Sequence, residues 1–152
     1  METDVHWLTD SEMAAWRSFI ETHDDLMTAI EHDLAPFGLT LGDYQVLVYL
    51  TEAEEEQMRM CDLADMLQLS PSGLTRRLDG LVKAGWVERR NSDVDRRVML
   101  AGLTDAGRRQ LAEAAPGHVH SVRARMIDVL DADDHAAIAR AFGKIRNALD
   151  AE

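Results

Sequence analysis

Cysteine is nearly absent from this chain. Cys61 is the only one in 152 residues, which excludes an intramolecular disulfide framework and suits a reducing compartment. There is no run of about 18 apolar residues, so no membrane-spanning helix is expected. The opening METDVHWLTDSE is acidic and lacks the basic start and apolar centre of a secretory signal, and a soluble, cytoplasmic protein is the expectation. Chemistry-bearing motifs are missing too: no glycine-rich phosphate loop, no HExxH pair and no plausible nucleophile–base arrangement. An enzyme is therefore not expected. His118 and His120, two apart, would face different sides of a helix, and no other His/Cys/carboxylate group has metal-ligand spacing, so neither metal nor cofactor is predicted. Positive charge is scarce, with 16 Lys and Arg against 28 Asp and Glu and a formal net charge of −12.

What is present is enough for one globular domain, 46% hydrophobic and 29% charged, without repeats or low-complexity tracts. The net acidity would argue against a nucleic-acid partner, whose affinity rests on neutralised phosphates. Locally the sign reverses. Residues 70–109 hold nine basic and five acidic residues, a balance of +4, while the remainder holds seven against 23, or −16. Such asymmetry places one positive face on a negative body and orients the approach of a polyanion.

The first helix is predicted from about 10 to 34. Thr9-x-x-Glu12 forms a capping box, and Met13, Trp16, Ile20, His23, Met27, Ile30 and Leu34 recur at steps of three and four. A second helix follows Thr40 and ends in the acidic stretch TEAEEE, read as a solvated loop, with a short strand near Met58–Met60. CDLADMLQL reads as a brief helix. Next comes LSPSGLTRRLDGLVKAG, with Ser70 as N-cap, Pro71 at the first helical position and Gly85 just past the end. WVERR and RVMLAGL around NSDVD form a β-hairpin with a polar tip. Thr104 caps another helix, which Pro116-Gly117 should kink or break, and Asp131 and Asp134 open the last one. The expected fold is mainly α with a small β-hairpin wing: a winged helix-turn-helix over 40–103, flanked by helices over 10–35 and 105–150, in one domain spanning 1–152.

On a helical wheel Leu74, Leu78, Leu81 and Val82 face the core, and Arg76 points about 175° away from them. Ser72, Gly80 and Lys83 lie beside Arg76, while Thr75 and Arg77 occupy opposite flanks. Arg76 is thus placed for a guanine edge in the major groove. Arg77 suits a phosphate or an internal carboxylate. Ser70, Ser72 and Thr75 near the helix start, and Lys83 near its end, complete the candidate contacts of this helix with double-stranded DNA. The wing adds Arg90, Arg96 and Arg97, with Arg96 expected at the minor groove or the backbone and Asp95 bracing a neighbouring arginine.

The stretches MCDLADMLQLSPSGLTRRLDGLVKAGWVERR, DRR at 95–97 and LTDAG at 103–107 resemble the MarR family of bacterial transcriptional regulators, and the likeness covers nearly the whole chain. The resemblance implies a homodimer whose first and last two helices interleave, a pseudo-palindromic operator, and often release from DNA by a small ligand such as a phenolic acid. It also implies an effector site between the dimer helices and the winged region. Trp16 and Arg17 are candidates there for an aromatic wall and a carboxylate-binding cation, and His23 and His118 for polar contacts. Two departures stand out: Ser92-Asp93 where the family often has Asp-Pro, and Cys61 at a helix start where Ser or Thr is more usual. Two further readings stay open. One is a redox-responsive regulator acting through Cys61. The other is a winged-helix module for protein–protein contact, which would need neither an outward Arg76 nor a basic wing.

Overall fold

The computed structural model describes residues 5–151. Helix α1 spans Asp10–Leu34, closed at its start by the Thr9/Glu12 capping box and at its end by a 3₁₀ turn, Ala35–Phe37, and a left-handed Gly38. Helix α2, Leu41–Glu52, begins with a second reciprocal cap between Thr40 and Asp43. Strand β1 (Gln57–Arg59), helix α3 (Met60–Met66) and helix α4 (Pro71–Lys83) follow. Strands β2 (Val87–Asn91) and β3 (Met99–Leu103) lead to helix α5 (Asp105–Val122), a π turn at Arg123–Ile127, and helix α6 (Ala132–Leu149). The strands form one antiparallel sheet in the order β1-β3-β2, with Met58 opposite Ala101 and Arg89 opposite the same residue. Among the described residues no helix is long and apolar enough to cross a membrane.

The core lies where α2, α3, α4 and the sheet converge. Leu47, Leu50, Leu63, Leu74, Leu78 and Leu81 are essentially inaccessible, and Leu34 from α1 and Ala114 from α5 join them. Each buried leucine stabilises the fold by about 1.5–3 kcal/mol relative to exposure, which holds α4 by its inner face. Val82 departs from the sequence expectation. It is 37% exposed, because the sheet and α2 cover only the Leu74–Leu78–Leu81 stripe. The acidic stretch is also more ordered than a loop: α2 runs to Glu52, and Glu54–Glu56 form a 3₁₀ turn with Glu55 and Glu56 in the left-handed region.

Of the kink or break expected at Pro116, the break does not occur. The helix is continuous from Asp105 to Val122. Proline removes the N–H that would bond the Ala112 carbonyl, so tertiary contacts must hold the helix together there. Gln110 Nε2 donates to the Phe37 carbonyl at 2.6 Å, and the Phe37 ring packs where a Cβ on Gly117 would sit, 3.3 Å away. The irregularity falls several residues later, where Asp128 N–H reaches back five residues to the Arg123 carbonyl (2.8 Å). There Arg125 bonds both Asp33 of α1 (2.5 Å) and the buried Ser121 hydroxyl (2.8 Å). Bonding to Ser121, then Arg125, holds the Asp33 carboxyl below its ordinary range.

Candidate nucleic-acid interface

Helix α4 is built to stop at both ends. The Ser70 hydroxyl accepts the Gly73 N–H (3.1 Å), Pro71 occupies the first helical position, and Gly85 takes φ +78° just beyond the end. Pinned by its leucines, the helix turns the opposite face outward. Ser72, Arg76, Gly80 and Lys83 are all exposed, and the Arg76 side chain has no hydrogen bond or ion pair with any described residue. Ser72 lies 3.2 Å from the Ser70 hydroxyl. The Thr75 hydroxyl donates to the Pro71 carbonyl (2.9 Å), and the residue is exposed.

Arg77 is differently placed. Its Nη1 donates to the Thr40 hydroxyl (3.1 Å) and to Asp43 Oδ1 (3.4 Å), and its guanidinium lies so close over Gly42 that a Cβ there would sit 2.2 Å from it. The internal carboxylate foreseen as one of its two options is therefore present, and Arg77 ties α4 to the capped start of α2.

The wing arginines divide in the same way. Arg97 grips Asp95 through Nε and Nη2, both at 3.0 Å, and its backbone N–H also donates to that carboxylate at 3.0 Å. These bonds, the side-chain ones first, hold the Asp95 carboxyl low and raise the Arg97 pKa. Arg90 turns to Gln57 of β1 and to Asp93 (3.3 Å). Arg96 is exposed with no bond from its side chain to any described residue, and its carbonyl is fixed by Asn91 Nδ2 (2.7 Å). The Ser92 hydroxyl accepts from Val94 N–H (3.2 Å) and Asp95 N–H (3.4 Å), so the Ser92-Asp93 tip is a defined turn. Four pairings escaped sequence reasoning: Arg89 with Asp79, Arg90 with Gln57, Arg108 with Glu56, and Arg108 with Asp105. Only the Arg108–Asp105 pair has a local signal, its i, i+3 spacing. Arg108 depresses the Glu56 carboxyl, first by hydrogen bonding.

A family model described as MarR family matches residues 37–98. AbsC of Streptomyces coelicolor, a MarR family transcriptional regulator, is 40% identical and superimposes over 97% of this chain and all of its own, with a TM-score of 0.92. The chain belongs to the MarR family. A second MarR family regulator, Sco3205 of S. coelicolor, whose crystal structure is in complex with DNA, is 33% identical over 94% of each chain, with a TM-score of 0.89. The HTH-type transcriptional repressor YetL of Bacillus subtilis is 31% identical over 102 residues, which cover 67% of this chain and 61% of YetL. The transcriptional repressor MprA of Escherichia coli is 35% identical over 79 residues, 52% of this chain and 45% of MprA. The matched segment thus spans less than two thirds of each of these two repressors.

Within one protomer of this MarR-family chain the four candidate effector residues lie in two places, three on α1 and His118 on α5. Trp16 is 54% exposed on α1, its ring 6.2 Å from that of Phe19, and Arg17 is exposed beside it. His23 bonds Asp24 (3.1 Å) and borders an apolar cleft of about 500 Å³ between α1 and α6, lined by Phe19, Leu26, Met126, Ile138 and Phe142 among others. His118 lies elsewhere, half-buried on α5 with its ring 4.3 Å from Tyr44 of α2. Burial pushes the His118 pKa down and that of Tyr44 up. Cys61 is exposed, with its thiol directed at Asp62 (3.5 Å).

Proposed function

We propose that the protein is a homodimeric, sequence-specific DNA-binding regulator of transcription, a repressor released by a small ligand such as an aromatic acid. One observation carries the DNA reading. On an acidic protein, the outward face of a well-capped helix offers Arg76 with no internal partner, beside a wing whose Arg96 is equally uncommitted. Arginines otherwise engaged with carboxylates in the same region show that pairing was available, so the two unpaired guanidinium groups suit an external anion. The MarR-family relative Sco3205, crystallised with DNA, and the names of YetL and MprA as repressors support the same reading. A twofold dimer is supported by apolar side chains that one protomer leaves exposed on its outer helices: Trp16, Phe19, Ile20, Phe142, Ile145 and Leu149.

Fluorescence anisotropy with duplexes from the region beside the gene, chosen for an inverted repeat, tests the proposal. Nanomolar binding that weakens steeply with salt is expected. Binding indifferent to salt and sequence would favour the protein–protein module. A monomer in sedimentation at micromolar concentration would remove the dimer. For the ligand, phenolic acids should raise the melting temperature and release the duplex, and Arg17→Ala should lose that response while still binding DNA.

A further inference from the structure

Asp79 and Arg89 form an ion pair of their own between the wing and helix α4. Asp79 sits on α4 one turn after Thr75, its side chain 59% exposed, an acid on a helix offered to a polyanion. Arg89, in β2, reaches back across the gap between wing and helix. A single nitrogen, Nη2, donates to Asp79 Oδ1 (2.6 Å) and to the Thr75 carbonyl (2.9 Å). The Arg89 side chain is only 28% exposed, and its Nε is shielded from solvent with no partner. A cation that serves a phosphate is exposed and keeps its donors free, as Arg76 and Arg96 do. Arg89 does neither. It grips the turn of α4 from which Arg76 projects, since Thr75 O and Asp79 N–H close the same helical turn.

We propose that Arg89 and Asp79 are positioning residues: they lock the wing to the reading helix, so that the spacing of Arg76 and Arg96 is set before DNA arrives, and they do not themselves contact DNA. The inference rests on the DNA-binding reading above. Two contacts made by separate elements realise their full combined affinity only when the free protein already holds them in register.

The sign of one substitution separates this lock from its rivals. Asp79→Ala deletes a negative charge from the DNA-facing side and frees a cation. If Asp79 only repelled DNA, or if Arg89 were a phosphate ligand, operator binding would tighten. The lock predicts that it weakens. Asp79→Ala, Arg89→Ala and the double variant of the full chain are titrated by anisotropy with an operator duplex and a scrambled duplex over a salt series. Each single variant should weaken operator binding about tenfold, and the double variant should be no weaker than either. Scrambled-duplex affinity and the salt slope should stay at wild-type values. Tighter binding by Asp79→Ala overturns the lock. So does a fall of about one unit in the salt slope of Arg89→Ala, the signature of a lost phosphate contact. Should the Arg89 variant unfold, Asp79→Ala still decides by its sign, since it removes the acceptor of Arg89 and the negative charge together. Wild-type protein that prefers no duplex sinks the regulator reading instead, whereas variants equal to a sequence-specific wild type sink only the lock.

Discussion

Alanine substitution of Arg76 and Arg77, one at a time, should separate two neighbours that look alike in sequence. The Arg76 guanidinium has no partner among the described residues, so its removal should change stability by less than about 0.5 kcal/mol. Its expected cost lies in DNA binding. Loss of a bidentate base contact is worth about 1–3 kcal/mol, or roughly 5- to 150-fold in affinity, with relaxed preference at one base position per half-site. Arg77 should behave in the opposite way. Its side chain is 30% exposed and that of Asp43 21%, and the two bonds it donates, at 3.1 and 3.4 Å, hold α4 to α2. Truncation leaves Asp43 half-covered without its cation. A loss of about 1–2 kcal/mol is expected, above the usual surface pair and below a fully buried one. For a chain of this size that corresponds to a fall of roughly 2–8 °C in melting temperature. Circular-dichroism melting at one fixed protein concentration and anisotropy titration with an operator duplex measure the two effects. The reasoning is refuted if Arg76→Ala melts as early as Arg77→Ala, or if it binds the operator within twofold of wild type.

Gly107→Ala should be among the most damaging single-atom-group additions: the new Cβ would lie 2.1 Å from the Trp86 carbonyl oxygen, a backbone atom that cannot rotate aside. About 3 kcal/mol and a melting temperature lower by roughly 6–12 °C are expected, and a change under about 2 °C would show that α5 does not need this close approach. Pro116→Ala restores a donor for the Ala112 carbonyl in a helix that is already continuous, and should stabilise by about 1–3 kcal/mol. An unchanged or lower melting temperature would contradict that. Burial lowers the His118 pKa in the folded state, so the unfolded chain takes up this proton first. The contribution is whole above about pH 6.5 and declines as pH falls towards the lowered folded value. His118→Gln should flatten the loss of melting temperature between pH 7 and 5, and an unaltered slope would refute the assignment.

The order of elements was legible because local chemistry writes it. Three of the helix starts carry reciprocal caps, Thr9/Glu12, Thr40/Asp43 and Asp131/Asp134, and each lies within four residues of sequence. The α4 boundaries at Ser70 and Gly85 follow from the same short-range logic. Where a distant contact competes with a local rule, the local rule misleads. Pro116 reads as a kink or break, yet α5 continues through it while Phe37 and Gln110, some seventy residues apart in sequence, pack beside it. Val82 reads as core, yet the packed elements leave it 37% exposed.

The outward direction of Arg76 needed only the 3.6-residue period and the leucines opposite, and the positive stretch at 70–109 needed only counting. Which arginines remain uncommitted is another matter. Arg77 meets Asp43 across 34 residues, Arg89 meets Asp79 across the turn between helix and wing, and Arg90 of β2 meets Gln57 of β1 over the intervening β3. Charge type and helical face are properties of a segment and its neighbours. Whether a guanidinium is satisfied depends on which carboxylate the folded chain brings within about 3 Å of it, and that is decided only when the elements pack.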